Sequence, residues 1–399
     1  MRLLDNRDFR LLWSAQVLAA TGGLSAAVAL PLLVLRTTGS ASAAGLVGFA
    51  VLAAAALTAL PGGRVADRYD RHAVLVRCAG GSAACTGLLA FAVHGGGAGI
   101  PLVLLLTALS GALSGAFNSA GVAALPHLVP AARLPTALAA NTARLAAAAL
   151  VGPVLAGGLF GVSPELPFWV AAGALLVAAA CAAAIRTPLP APPRSGPSGL
   201  ATGLVLLWRD GVLRGITTVT AVHNAVFSAV PLLLVAIGLR QQGSSLSIGL
   251  VYAVTGAGSL VGALVATGVS RRLSPRAAVL VTCWVPAALL AATSLSPTLV
   301  VLAAALTAGC LVGPSADAVL AAVRIGRTPD ALQGRTQAAV TLLGMCATPL
   351  GPPAAGLLLD HLDVGVALLV LAAPLAAVGV AAALHPRLRS VRTPGGPGG

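Results

Sequence analysis

Residues 364–384 read Val-Gly-Val-Ala-Leu-Leu-Val-Leu-Ala-Ala-Pro-Leu-Ala-Ala-Val-Gly-Val-Ala-Ala-Ala-Leu, a run without a single charged side chain. As a helix it rises about 30 Å, the thickness of a bilayer's hydrocarbon layer. A helix apolar on every side belongs in lipid, where its backbone hydrogen bonds close within the segment. Similar runs fill the chain. They predict spans over Phe9–Leu35, Ala41–Pro61, Ala73–Val93, Ile100–Leu125, Ala137–Phe160 and Pro167–Ile185. After a break come Gly215–Leu239, Leu246–Val269, Ala277–Leu295, Leu299–Val323, Ala338–Leu359 and Val364–Leu384. A β-barrel alternates lipid-facing and lumen-facing residues, whereas these runs are solid Ala, Leu, Val and Gly. The fold class is an all-α integral membrane protein with twelve transmembrane helices.

Composition supports this reading. Of 399 residues 58% are apolar and only 9% charged, against about 25% charged in an ordinary soluble domain. So few charges cannot cover a water-facing surface, and so much apolar surface excludes a disordered chain. The net charge of +14 does not signal nucleic acid. All 24 basic residues are arginine, which with the Ala, Gly and Pro richness suggests a GC-rich bacterial genome. Their placement is asymmetric: with the N-terminus in the cytoplasm, 22 fall on the inner side and only Arg36 and Arg240 on the outer. The positive-inside rule therefore predicts a multi-pass protein of the bacterial cell membrane with both termini cytoplasmic. The first span follows Arg2, Arg7 and Arg10 as a signal peptide would, but its apolar stretch exceeds an h-region of about 7–15 residues. It reads as a retained helix. Six cysteines lie in apolar segments without CxxC spacing and read as small core residues, with no metal site or cofactor expected.

The chain divides into a six-helix half at 1–185, a cytoplasmic linker at 186–214, a second six-helix half at 215–384 and a disordered tail at 385–399. The linker opens Arg186-Thr-Pro-Leu-Pro-Ala-Pro-Pro-Arg-Ser-Gly-Pro-Ser-Gly199, a Pro-rich composition typical of semi-rigid spacers. The halves repeat one another. Pro31 answers Pro231 at an offset of 200, and Pro130 and Gly152-Pro153 answer Pro329 and Gly351-Pro352 at 199. Gly157 and Gly356 close the repeated GP-x-x-A-G stretch. Such duplication is a feature of transporters that move two related bundles about a midplane site.

Between spans two and three stands Gly63-Arg-Val-Ala-Asp67-Arg68-Tyr-Asp70-Arg71-His72. It resembles the signature loop of the major facilitator superfamily, G-x-x-x-D-R-x-G-R-[KR], with Asp70 and His72 as departures. The resemblance implies a gating motif at Gly63, Asp67, Arg68 and Arg71. Small residues such as Gly63 allow close helix crossing, and Asp67 can face a helix N-terminus. Gly152, Pro153 and Gly157, echoed by Gly351, Pro352 and Gly356, resemble the family's antiporter-associated motif. They read either as that helix-bend device or as ordinary small-residue packing. Arg7-Asp-Phe-Arg-Leu-Leu-Trp13-Ser-Ala-Gln16 and Pro329-Asp-Ala-Leu-Gln-Gly334-Arg335 resemble the macrolide-efflux-type, drug:proton antiporter branch. The resemblance implies the major facilitator fold of two pseudo-symmetric bundles and proton-driven export of drugs or natural products, hence antibiotic resistance.

Polar residues inside spans are costly and so carry functional interest. Of ten acidic residues only Asp317 lies within a span, at an offset of 199 from Asn118. A carboxylate moved between dry and wet surroundings takes up and releases a proton, because its charged form loses hydration. Asp317 is therefore the proton-coupling candidate, or else it pairs with Arg324 or reaches the inner surface. His223 follows it as a titratable residue, or else simply bonds a neighbour. Gln16, Asn118 and Asn224 are candidates for the substrate cavity. Arg144 either contacts an anionic ligand or, the preferred reading, reaches the inner headgroups. Trp13, Trp169, Trp208 and Trp284 lie near span ends, as interfacial anchors do.

No HExxH, GxSxG or P-loop is present, so no enzyme or ATP-driven pump is expected. The expected activity is secondary active export of a small hydrophobic compound, driven by protons, by a monomer in the lipid bilayer. A facilitator or importer of a small metabolite on the same fold is the alternative.

Overall fold

The computed structural model describes residues 6–66, 70–130, 133–189, 200–329 and 332–384. Twelve helices among the described residues are long and apolar enough to cross a membrane. The first six are α1 (Arg7–Thr38), α2 (Ala41–Ala66), α3 (Arg71–His94), α4 (Ile100–Leu128), α5 (Leu134–Val162) and α6 (Leu166–Ala183). A short α7 (Leu200–Arg209) precedes α8 (Gly211–Arg240), α9 (Ser245–Ser270), α10 (Pro275–Leu295) and α11 (Leu299–Arg327). Then follow α12 (Gln333–Ala347), α13 (Gly351–His361) and α14 (Val364–Leu384); α12 and α13 together make one span.

Local chemistry fixes the ends. The Asn6 side chain accepts from the Asp8 and Phe9 amides at the start of α1, and Gly39, at φ 68°, closes it. That left-handed conformation suits glycine, which has no Cβ to clash. Asp70, Asp210, Ser274 and Thr298 cap α3, α8, α10 and α11 in the same way. Two of these caps also tie helices together. Asn6 Nδ2 donates to the Leu128 carbonyl at the end of α4 over 2.8 Å. Asp210 accepts from Arg327 at the end of α11 over 3.1 Å. Leu128 and Arg327 are separated by the same 199 residues as the repeated prolines. Burial opposes ionisation of Asp210, but the Leu213 and Val212 amides and Arg327 outweigh it and hold the carboxyl below its ordinary range.

The helices form two compact units. One comprises the described residues of Met1–Ser195 with Gln242–Ala253, the other those of Gly196–Gln241 and Val254–Gly399. Within the first, α1 packs on α5 and α6, α3 on α4 and α6, and α2 on α4. Within the second, α8 packs on α13 and α14, and α10 on α11 and α14. The pairings repeat, and so do their contact points. A methyl added at Gly152 would stand 3.0 Å from the Thr21 carbonyl of α1, and one at Gly351 would overlap the Ala225 carbonyl of α8. Gly111 meets Val51 across α4 and α2, while Gly262 meets Cys310 and Leu311 across α9 and α11.

Three features differ from the sequence reading. The stretch 186–214, expected as linker, carries α7, whose Leu204 and Leu207 pack with Leu213, Ala339 and Val340. Its apolar residues recur at helical spacing but follow a Pro-rich stretch that masks them. The first turns of α9 group with the first unit, where Gly157 abuts the Ser245 carbonyl and Gly249 the Pro153 carbonyl. The repeated prolines also act differently. Pro153 sits inside a continuous α5, whereas a 3-10 turn at Thr348–Leu350 separates α12 from α13 before Pro352 and Pro353. The tail, 385–399, lies outside the described residues.

Candidate functional site

Within the second unit, α8, α10 and α11 enclose a cavity of about 240 Å³, completed by Ser259 of α9 and Leu375 of α14. Its walls are mostly Val, Leu and Pro, and its titratable carboxylate and imidazole are Asp317 and His223. The two coupling candidates thus meet in one place. Asp317 is exposed, and the surface it exposes borders the cavity. Arg324, two turns further along α11, also interacts electrostatically with it. That interaction accords with the alternative role expected for Asp317, pairing with Arg324.

His223 is held from two directions. Its ring stacks on Phe227 one turn later in α8, centroids 5.9 Å apart and planes 11° from parallel. It also interacts with the Thr282 backbone of α10. Pro286 accounts for that interaction: it has no N–H for the carbonyl four residues earlier, which is Thr282, so that carbonyl is open to the imidazole. The other ring nitrogen, Nδ1, is buried without a partner. Asp317 follows Pro314 in α11, a second proline that frees a backbone carbonyl in the wall.

The other expected lining residues lie elsewhere. Asn224 points its amide at Gly344 of α12, where an added methyl would stand 3.2 Å away. Asn118 is exposed on α4 and donates to the Ser114 carbonyl of its own helix over 3.0 Å. Gln16 is buried in the first unit with its amide nitrogen against Gly121. Arg144 corrects the headgroup reading: it is buried, and its NH1 donates to the Gln16 backbone carbonyl over 2.7 Å. Depth in a span can be counted from sequence, whereas the direction of a side chain depends on helix rotation, and α5 turns Arg144 toward α1. Trp13 is likewise tied, donating its indole N–H to the Ala140 carbonyl over 3.4 Å.

Of the signature loop, Asp67 and Arg68 lie outside the described residues, and Gly63 falls in the last turns of α2. Arg71 opens α3 and is buried, its NH1 2.6 Å from His127 Nε2 at the end of α4. Its own amide donates to the Leu189 carbonyl over 3.2 Å. Arg71 therefore anchors the start of α3 to two neighbouring segments. Among the described residues no group of His, Cys, Asp and Glu has the geometry of a metal site.

A sequence profile described as Major Facilitator Superfamily matches residues 12–316 and 239–398. The chain is 30% identical to a multidrug efflux pump Tap of Mycobacterium tuberculosis, over 96% of this chain and 94% of that one. It is 28% identical to a multidrug efflux pump Tap of Mycolicibacterium fortuitum, over 96% of each. Among solved structures it is similar to the nucleoside transporter NupG, at a TM-score of 0.77 and 12% identity, over 98% of this chain and 100% of that one. A bacterial homologue of the iron transporter ferroportin gives 0.70 at 17% identity, over 96% and 100%. At such identities these structures establish the fold.

Proposed function

The chain belongs to the major facilitator superfamily, and from that premise we propose that this membrane transporter exports small hydrophobic compounds, drugs or natural products, driven by proton entry. The observation that carries the reading is the cavity of the second unit, apolar over most of its wall with Asp317 and His223 at its edge. A polar metabolite needs buried partners for its own polar groups, which those walls do not supply, so import of such a molecule fits less well. Relatives named as multidrug efflux pumps agree with this direction. The test uses membrane vesicles turned inside out, with the lumen made acidic. Hydrophobic dyes and antibiotics should accumulate only while the gradient stands and leak out on addition of a protonophore. Accumulation indifferent to the gradient would overturn proton coupling.

The same proposal has the protein working as a monomer in the bacterial plasma membrane with both termini in the cytoplasm, supported by the 22-to-2 arginine split. A single cysteine placed at 187–200, in a chain lacking the native cysteines, should react only with reagents applied from the cytoplasmic side. Labelling from outside by an impermeant reagent would reverse the orientation.

The signature loop is proposed as the gate, with Gly63, Asp67, Arg68 and Arg71 biasing one conformation over another. Shifts of a few kcal/mol change such populations decisively. Arg71→Ala removes the contact with His127 and should cut transport several-fold while membrane expression stays normal. Unaltered transport by Arg71→Ala would reduce the loop to a structural anchor. The repeated Gly152, Pro153, Gly157 and Gly351, Pro352, Gly356 are proposed as the crossing points on which the helices pivot.

A further inference from the structure

The first unit contains a polar cluster that the coupling site leaves unused. Gln16 lies nine residues into α1 and Arg144 ten into α5, so each is roughly 14 Å from the start of its helix. Arg144 is 3% exposed and Gln16 1%. The guanidinium's NH1 donates to the Gln16 backbone carbonyl over 2.7 Å, and NH2 donates to Asn141 Oδ1 over 2.8 Å. Both acceptors are neutral. Among the described residues no carboxylate pairs with this cation. Its Nε and the Gln16 Nε2 are both buried donors without an acceptor. The Gln16 amide occupies the space that any side chain at Gly121 of α4 would fill, so α4 confines it.

An arginine in a membrane keeps its charge, and a buried charge without a counter-ion is costly to maintain. The missing component is an anion. We propose that Arg144 and Gln16 form an oxyanion subsite, which takes the carboxylate of an amphiphilic transported compound. Nε and NH2 make up the edge of a guanidinium that grips a carboxylate with two parallel hydrogen bonds. Nε is free here, and NH2 is held only by Asn141, which is partly exposed and marks the side of approach. The incoming carboxylate displaces Asn141, closes on Nε and NH2, and accepts a further bond from Gln16 Nε2. The subsite rests on the reading of this chain as an exporter of small hydrophobic compounds and adds to it those that carry a carboxylate.

The experiment uses the full chain in phosphatidylcholine nanodiscs with Trp13 as its sole tryptophan, the other three replaced by phenylalanine. Trp13 reports locally because its indole bonds to Ala140, next to Asn141. Cyclohexanecarboxylate and the isosteric cyclohexanecarboxamide are titrated without any gradient. The acid should bind about tenfold tighter than the amide, the scale of a hydrogen bond to a charged group. Arg144→Gln should erase that preference. Asn141→Ala, which frees NH2 in advance, should bind the acid several-fold more tightly, and it keeps the test decisive if Arg144→Gln does not fold. Equal binding of acid and amide by the parent protein, or no gain in Asn141→Ala, would overturn the subsite. Displacement of the acid by added phosphatidylglycerol would overturn the substrate assignment in favour of a lipid headgroup. Binding is measured at equilibrium, so a protein with the acid preference but no gradient-driven accumulation retains the subsite and refutes the exporter reading alone.

Discussion

Asp317→Asn is expected to abolish gradient-driven accumulation, by tenfold or more, while equilibrium binding of the same compound changes by less than about threefold. The amide has the shape of the carboxyl and cannot exchange a proton at physiological pH, so the substitution separates charge from packing. Asp317 is the carboxylate on the wall of the second unit's cavity, and His223 lines the same space. A carboxylate and an imidazole on one cavity wall provide a place for a proton to arrive and a place for it to wait. An exchanger needs both if proton and substrate are to alternate at one site. The surrounding Val, Leu and Pro residues allow a hydrophobic molecule to enter when the carboxyl is neutral and disfavour it when the charge reappears, since desolvating that charge is costly. Binding and accumulation are measured on the same variant, in purified protein and in inverted vesicles. Full accumulation by Asp317→Asn would make the aspartate structural, and His223→Asn would be the next variant to examine.

The spans were legible in the sequence because each is an unbroken apolar run, and lipid leaves the backbone no alternative to helix. The repeat was legible because proline and glycine have backbone consequences that Ala and Leu lack; the 199-residue offset from Gly152 to Gly351 reappears in space as the same crossing on α1 and on α8. Asp317 was identifiable as an acid with no place in a lipid-facing stripe. Its partnership with His223 was not, since that depends on the rotation of α8 and α11. The signal was nonetheless present in Pro286, four residues after Thr282: a carbonyl without its helical donor is open to another group, and the histidine of α8 interacts with that backbone. Arg144 was misread because arginines near span ends commonly reach the headgroups, and only the packing of α5 on α1 shows this one turned inward. Asn141, three residues earlier on the same helix face, was the available clue. The α7 helix was overlooked for a different reason: a Pro-rich composition was extended past its true end into residues that alternate at helical spacing.

Gly351→Ala is expected to destabilise the protein severely, and Gly152→Ala much less, although the two glycines occupy equivalent positions in the repeat. At Gly152 an added methyl would stand 3.0 Å from the Thr21 carbonyl and the Leu24 Cβ and 3.2 Å from the Ser25 amide. Shifts of a few tenths of an ångström between α5 and α1 relieve those contacts. At Gly351 the methyl would overlap the Ala225 carbonyl and the Ser228 hydroxyl and lie 2.8 Å from the Ala229 amide. That backbone has little room to yield. The Ser228 hydroxyl lies 2.6 Å from the Thr348 carbonyl and 2.7 Å from that of Ala225. Thr348 is four residues before Pro352, which has no N–H to offer it; its carbonyl accepts from the Gly351 amide instead, with the Ser228 hydroxyl as a second donor within reach. A methyl at Gly351 therefore adds steric overlap and displaces that donor. Overpacking costs typically about 1–3 kcal/mol, and losing the Ser228 hydrogen bond adds about 1 kcal/mol, a large fraction of the stability of a marginal fold. Gly152→Ala incurs only the lower end of the first cost. Thermal unfolding in detergent, followed by size-exclusion chromatography, should rank the parent above Gly152→Ala and leave Gly351→Ala aggregated or unexpressed. Equal tolerance at both glycines would mean that the crossing of α13 on α8 is looser than its side chains indicate. Transport by any surviving Gly351→Ala protein should fall as well, because the displaced segment of α8 continues directly into Phe227 and His223 and would pull the imidazole off the Thr282 carbonyl.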